Sequence, residues 1–226
     1  MVNGMVSSKL VVLFLAICLL VDCSGMSKKN RTSAKQEKQV ISAKDSSYLF
    51  NGINLDGWEI TNFGPQGPVY VSGDELNLCM GDGCTGVTYK KYFPEINYKV
   101  TLEAKRISGN DFFCGMTFPV GKEPCTLIIG GWGGTVVGLS SIDYYDASEN
   151  ETTTFMGFEM NRWYNICLEV REDSIKASID NEPVVRFAIG NKRLSIRPEV
   201  ELSKPFGIAS WRTTSALRNI RVQNIK

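Results

Sequence analysis

Apolar and polar residues alternate with a period of two over long stretches of this chain. Tyr98, Val100, Leu102 and Ala104 alternate with polar side chains, as do Tyr164, Ile166, Leu168 and Val170, and then Ile175, Ala177 and Ile179. Successive side chains of a strand point to opposite faces, so this spacing predicts half-buried antiparallel strands. Short polar turns connect them: Glu172-Asp173-Ser174 joins two, and Asp180-Asn181, which tolerates positive φ, joins 174–179 to 183–188. Further strands are predicted at 69–72, 75–79, 85–90, 111–118, 125–131, 135–142, 206–211 and 216–223. No segment of the domain keeps a helical period beyond about two turns. About a dozen strands with regularly spaced turns predict an all-β sandwich or barrel. In a jelly roll one sheet is concave, and polar and aromatic residues between its strands are expected to mark a ligand site.

Residues 10–21 are an uninterrupted apolar run of twelve residues after Lys9. A membrane-spanning helix needs about 20, so the run reads as the hydrophobic part of a signal peptide covering 1–22. Leu20-Val21-Asp22-Cys23 resembles a bacterial lipoprotein box, in which Cys23 becomes a diacylated N-terminus; ordinary cleavage after Gly25 is the alternative, because Asp22 stands where such a box has a small residue. Residues 23–47 are rich in Ser, Lys and Gln, hold six basic side chains against two acidic ones, and lack apolar periodicity. They are expected to form a flexible polar tether. Residues 48–226 carry 18 basic and 21 acidic side chains, a net of −3, which argues against nucleic acid as a partner. The expected location is the bacterial cell envelope, with the exported domain held to a membrane by its lipid anchor alone and facing the periplasm or cell surface.

Export places Cys79, Cys84, Cys114, Cys125 and Cys167 in a disulfide-permissive compartment. Cys114 and Cys125 flank Phe118-Pro119-Val120-Gly121, and Cys79 and Cys84 flank Gly81-Asp82-Gly83, so each pair is a disulfide candidate, while Cys167 reads as a buried apolar residue. The chain has no His and no CxxC pair, which argues against zinc and against a Cys nucleophile served by an imidazole base.

Leu49-Phe50-Asn51-Gly52 and Leu55-Asp56-Gly57-Trp58 near one end, with Leu217-Arg218-Asn219-Ile220-Arg221-Val222 near the other, resemble the 3-keto-disaccharide hydrolase domain family. Asn-Asp-Phe-Phe-Cys-Gly (110–115), Gly-Gly-Trp-Gly-Gly (130–134), Asp-Ala-Ser-Glu-Asn-Glu-Thr (146–152) and Arg-Pro-Glu-Val-Glu (197–201) resemble one branch of it. The resemblance covers 48–226 and implies a concanavalin A-like jelly-roll β-sandwich of two antiparallel sheets. It also implies cleavage of glycosides already oxidised to a ketone at C3. The ketone acidifies the C2 proton; a base removes it, the C1 substituent leaves with help from an acid, and water adds at C1. Such chemistry needs a base, an acid and an enolate stabiliser, which is Arg, Lys or a divalent cation such as Ca²⁺, Mg²⁺ or Mn²⁺. Two departures stand out: Gly138 occupies the place of a Glu that many members carry in the strand aligned with Val136–Asp143, and Ser210-Trp211-Arg212 replaces a His near the last strands.

Without His, proton transfer falls to Asp, Glu or Tyr. Arg197, Glu199 and Glu201 share one face if their segment is extended, where neighbouring charges divide acid from base roles; a structural Arg–Glu pair is the alternative. With Asp143 they form the expected catalytic set. Asp143, Tyr144, Tyr145, Asp146, Glu149 and Glu151 form an acidic, phenolic loop, which is a solvated loop, a Ca²⁺ site, or, through Tyr144, Asp146 and Glu149, a sugar contact. Trp132 between paired glycines, with Trp211 and Arg212, is expected to meet a sugar ring, whereas Trp58 and Trp163 are expected in the core. A hydrolase acting on 3-keto-glycosides and a non-catalytic carbohydrate-binding module on the same fold both fit these residues. An adhesion or scaffold domain fits less well, since no long exposed apolar pattern is present.

Overall fold

The alternation resolves into two antiparallel sheets in the computed structural model, which describes residues 46–226; the apolar run at 10–21, Cys23 and the tether up to residue 45 lie outside the described residues. The first sheet contains β1 (Ser46–Tyr48), β3 (Val69–Ser72), β4 (Glu75–Leu78), β6 (Tyr98–Ser108), β11 (Tyr164–Val170), β12 (Ser174–Ile179), β13 (Glu182–Ala188) and β15 (Thr214–Asn224). Its order is β13-β12-β11-β6-β15-β4-β3, with β1 beside the C-terminal half of β15, so the chain joins the sheet at Ser46, inside the last two residues of the expected tether. The second sheet contains β2 (Trp58–Ile60), β5 (Cys84–Tyr89), β7 (Cys114–Val120), β8 (Glu123–Gly131), β9 (Val136–Ser140), β10 (Thr154–Phe155) and β14 (Gly207–Trp211). These run in the order β10-β9-β8-β7-β14-β5-β2. A 3-10 helix, Pro198–Ser203, precedes β14.

The core lies between the sheets. Tyr98, Val100, Leu102 and Ala104 of β6 meet Cys114, Met116 and Phe118 of β7 and Leu127 and Ile129 of β8, all buried. Two buried aromatic tips find acceptors in the backbone: Trp58 Nε1 donates to the Leu49 carbonyl at 2.7 Å, and the Tyr98 hydroxyl to that of Pro119 at 2.6 Å. Trp58 is core, as expected. Trp163 is not: it sits half-buried on the outer face of the first sheet, with Lys105 Nζ 4.4 Å and the Arg218 guanidinium 4.2 Å from its ring. Position 163 precedes the inward register of β11, and the two cations cover the indole by cation–π contact instead.

The described cysteines are all free thiols, against the expected pairs. Strand register explains the first. Cys125 faces Phe118 across the β7–β8 hairpin while Cys114 faces Ile129. Four residues of strand, about 13 Å at ~3.3 Å per residue, separate the two positions along the hairpin, and a disulfide tolerates Cα separations up to only about 7 Å. Cys79 follows β4 in the first sheet, whereas Cys84 opens β5 in the second and pairs with Trp211. Cys167 alternates with buried Ile166 and Leu168 and is therefore only half-buried, on the outer face, rather than in the core.

Candidate functional site

Three strands of the second sheet are buried on both faces: β5, β7 and β9 show no exposed residue. Directly paired residues share a face, so register identifies what turns away from the core. One row across the sheet reads Thr88, Gly207, Thr117, Thr126, Ser140, and the next reads Gly86, Ala209, Gly115, Ile128, Gly138. Apart from Ile128, these residues are small or hydroxylic, so loops and the 3-10 helix lie close over them. Where the cover is incomplete, a cavity of about 220 Å³ remains. Cys84, Thr126, Ile128 and Ser140 line it from the strands, and Trp211 from the end of β14. Asp111, Phe112, Trp132, Arg197, Glu199 and Val200 line it from the connections.

Arg197 organises the charge. Its Nη2 donates to Glu199 Oε1 at 2.8 Å and its Nε to Oε2 at 3.3 Å, a two-pronged pairing suited to a planar guanidinium. Its Nη1 donates to Asp146 Oδ2. The other Asp146 oxygen accepts from Ser141 Oγ at 2.9 Å and Ser140 Oγ at 3.2 Å. The Arg197 hydrogen bond holds the Glu199 carboxyl below its ordinary pKa against the opposing effect of burial, and Glu199 in turn raises that of Arg197. Asn150 Nδ2 fastens the loop, donating to the carbonyls of Leu139 at 2.7 Å, Asp146 at 2.8 Å and Tyr145 at 3.1 Å. The Cys84 thiol is pushed up to about 12, first by burial and then by the Glu199 charge, so it stays protonated in the cavity.

The expected residues are thus divided. Arg197, Glu199, Trp132 and Trp211 line the cavity, and Asp146 stands behind Arg197. Glu201 does not join them: the segment is helical, not extended, and Glu201 turns out to pair with Lys204. Asp143 is likewise absent from the lining. It sits at positive φ, accepts the Arg193 backbone N–H at 2.9 Å and pairs with Lys192 Nζ at 3.0 Å, contacts that hold its pKa below the ordinary value. Tyr144 is 70% exposed and covered by Arg193, whose guanidinium lies 4.7 Å from its ring. Glu149 is exposed, its backbone N–H closing a turn onto Asp146. Arg212 does not line the cavity; it pairs with Asp82 at 2.8 Å and lies 5.8 Å from the Trp211 ring.

Asp111, Phe112, Thr126, Ile128, Ser140 and Val200 were not legible as site residues. Asp111 looks like the start of a strand, yet β7 begins at Cys114, leaving Asp111 in the preceding loop with Oδ1 accepting the Phe112 N–H at 2.7 Å. No described ion pair involves Asp111, which leaves it as the cavity carboxylate without a cation partner. Gly138 explains its own departure from the family pattern. A Cβ there would lie 3.1 Å from the Ala147 carbonyl and 3.2 Å from Thr152 oxygens, so the acidic loop occupies the space a larger side chain needs.

The donor set does not suit a divalent cation. Among the described residues no three Asp, Glu, Cys or His side chains converge. Asp146 and Glu199 are both taken by Arg197, and Asp143 and Glu151 by Lys192. A hard cation takes six or more oxygens.

Two antiparallel sheets packed on a shared core, with a cavity on the outer face of one, define a jelly-roll β-sandwich. Solved structures share the fold: a candidate glycosyl hydrolase from Parabacteroides distasonis (12% identity, 81% of this chain and 95% of that one, TM-score 0.54), the Crh5 transglycosylase in complex with NAG (16%, 81% and 86%, 0.58), and the carbohydrate binding module CBM66 from Bacillus subtilis (14%, 73% and 94%, 0.51). The chain belongs to the 3-keto-alpha-glucoside-1,2-lyase-like domain family, whose profile matches residues 45–223. Among curated proteins, none matches it.

Proposed function

We propose that the domain takes the oxidised ring of a 3-keto-glycoside into the cavity and breaks its C1–O bond by elimination. The supporting observation is the juxtaposition, in one hollow, of two indoles, a carboxylate without a cation partner and an arginine held charged by two others. Asp111 takes the C2 proton. The electrons move to the C3 oxygen, where Arg197 stabilises the enolate. They then form the C1=C2 bond as the C1 oxygen departs with a proton returned from Asp111, leaving an enone. Water adding at C1 of that enone gives the 3-keto sugar and completes net hydrolysis. Glu199 and Asp146 orient Arg197 and keep it ionised, and Trp132 and Trp211 stack on the ring.

The test is cleavage of a 3-keto-glucoside by the purified protein. Asp111→Asn is expected to lower kcat by at least ~10²-fold and Arg197→Met by ~10²–10³-fold. Wild-type rates in both would sink the assignment. Gly138 favours a second reading, a non-catalytic carbohydrate-binding module: the carboxylate that many relatives carry there has no space here. Sugar binding by the wild type without any cleavage would decide for it. We also propose export with a lipid anchor on Cys23; Cys23→Ser should release the protein from the membrane fraction, and unchanged partitioning would defeat the idea.

A further inference from the structure

The geometry points to Arg106 as the residue that positions Trp132, a role that rests on the reading of the cavity as a sugar site. Arg106 continues the inward register of β6, on the far sheet, and is only 5% exposed. A guanidinium on the core side of a sandwich is costly unless it is hydrogen-bonded. Its Nη2 donates to the Gly130 carbonyl at 3.1 Å and to the Gly134 carbonyl at 3.0 Å, the residues two before and two after Trp132. Phe113 and Phe158 hold the guanidinium from the sides, at 5.2 and 5.9 Å from their ring centroids, and Nε has no partner.

The turn is shaped around this contact. Gly130, Trp132, Gly133 and Gly134 all have positive φ. A Cβ on Gly130 would collide with Arg106 Nη2, and one on Gly134 would stand 3.1 Å from Nη1. The paired glycines therefore supply the left-handed backbone and also the room for the guanidinium. Arg106 pulls both shoulders of the turn toward the core, and Trp132 at its crest, 41% exposed, projects at the cavity. The second sheet thus presents the indole while the first sheet sets its height.

Two measurements test this. With 5-fluorotryptophan incorporated, the chain gives four fluorine signals, one per Trp, that of Trp132 being identified by Trp132→Phe. Arg106→Met is expected to shift or broaden the Trp132 signal and leave those of Trp58 and Trp163 in place; Arg106→Lys, which keeps the charge and one donor group, is expected to restore it in part. An unmoved Trp132 signal would overturn the proposal, and so would loss of all four signals in both variants, which is the behaviour of a purely structural arginine. The second measurement is affinity for methyl 3-keto-α-glucoside. Arg106→Met and Trp132→Ala should each weaken it about tenfold, the share of a stacked aromatic face, and the double variant no further than Trp132→Ala alone. Additive losses would refute action through Trp132. A wild type that binds no glycoside would refute the sugar reading alone, since the fluorine spectrum reports on Trp132 without ligand.

Discussion

Arg197 and Gly138 are the residues on which the chemistry of the cavity turns. The guanidinium of Arg197 keeps Glu199 ionised below the ordinary carboxylate range. In Arg197→Met the Glu199 pKa should rise, because burial is then opposed only by a backbone hydrogen bond at Glu199 itself; carboxyl-carbon NMR titration reads this directly, and an unmoved Glu199 would mean that the pairing is absent in solution. At Gly138, introducing the missing carboxylate as Gly138→Glu should not create activity. It should cost about 1–3 kcal/mol by overpacking, read as a lower urea midpoint with an unchanged slope, since the acidic loop must lift away. The sequence named Arg197, Glu199, Trp132 and Trp211, whose side chains are chemically conspicuous. It did not reveal Asp111, because Asn-Asp-Phe-Phe-Cys-Gly reads as the start of a strand and the irregular turn before β7 has no signature of its own.

Among the elements, β15 bears the most partners, pairing with β6 along its length and with β4 and β1 along opposite halves. The register shifts between Arg218 and Arg221, and Asn219 has positive φ. Glu103 of β6 bridges this irregularity, accepting from Arg218 at 2.7 and 2.9 Å and from Asn219 at 2.6 Å. Burial pulls the Glu103 pKa up, but these hydrogen bonds outweigh it and the folded value is lowered. A lowered carboxyl stabilises the fold above the unfolded pKa, near 4.3, and that contribution is lost as pH falls through the folded value. Glu103→Gln should cost about 1–3 kcal/mol at neutral pH and flatten the acid limb of a stability–pH curve. A parallel curve would show that Glu103 carries none of it. The cysteines offer an element-level test of register. In native protein at mildly alkaline pH, Cys84, Cys114 and Cys125 should resist iodoacetamide, their thiols being pushed up to about 12 by burial. In concentrated urea without reductant all five described cysteines should label. Protection of Cys114 and Cys125 that yields only to reductant would mean that the hairpin pairs differently.

At the scale of the whole molecule, the two sheets differed in how openly the chain announced them. β6, β11 and β12 alternate because one face meets the core and the other meets water. That contrast made the sandwich legible, and the terminal stretches led to the family whose profile matches 45–223. β5, β7 and β9 have no solvent face. Their runs reveal a strand without revealing which side carries the ligand, so the rows from Thr88 to Ser140 and from Gly86 to Gly138 emerged only with the pairing register. Conformation decided the rest. Arg197, Glu199 and Glu201 converge only on an extended segment, and Pro198 opens a 3-10 helix that sends Glu201 outward.

The rows of small residues constrain how this scaffold can diversify. A Cβ on Gly207 would lie 2.6 Å from the Ser203 carbonyl, and one on Gly115 2.9 Å from the Phe112 ring. Enlarging a strand position therefore pushes on the covering chain before it reshapes the hollow. New sugar preferences, whether selected or engineered, are more readily acquired by lengthening or recolouring the connections that bear Asp111, Trp132 and Glu199. Libraries randomised there should keep folded members in large number, while those aimed at the strand floor should yield mostly aggregates.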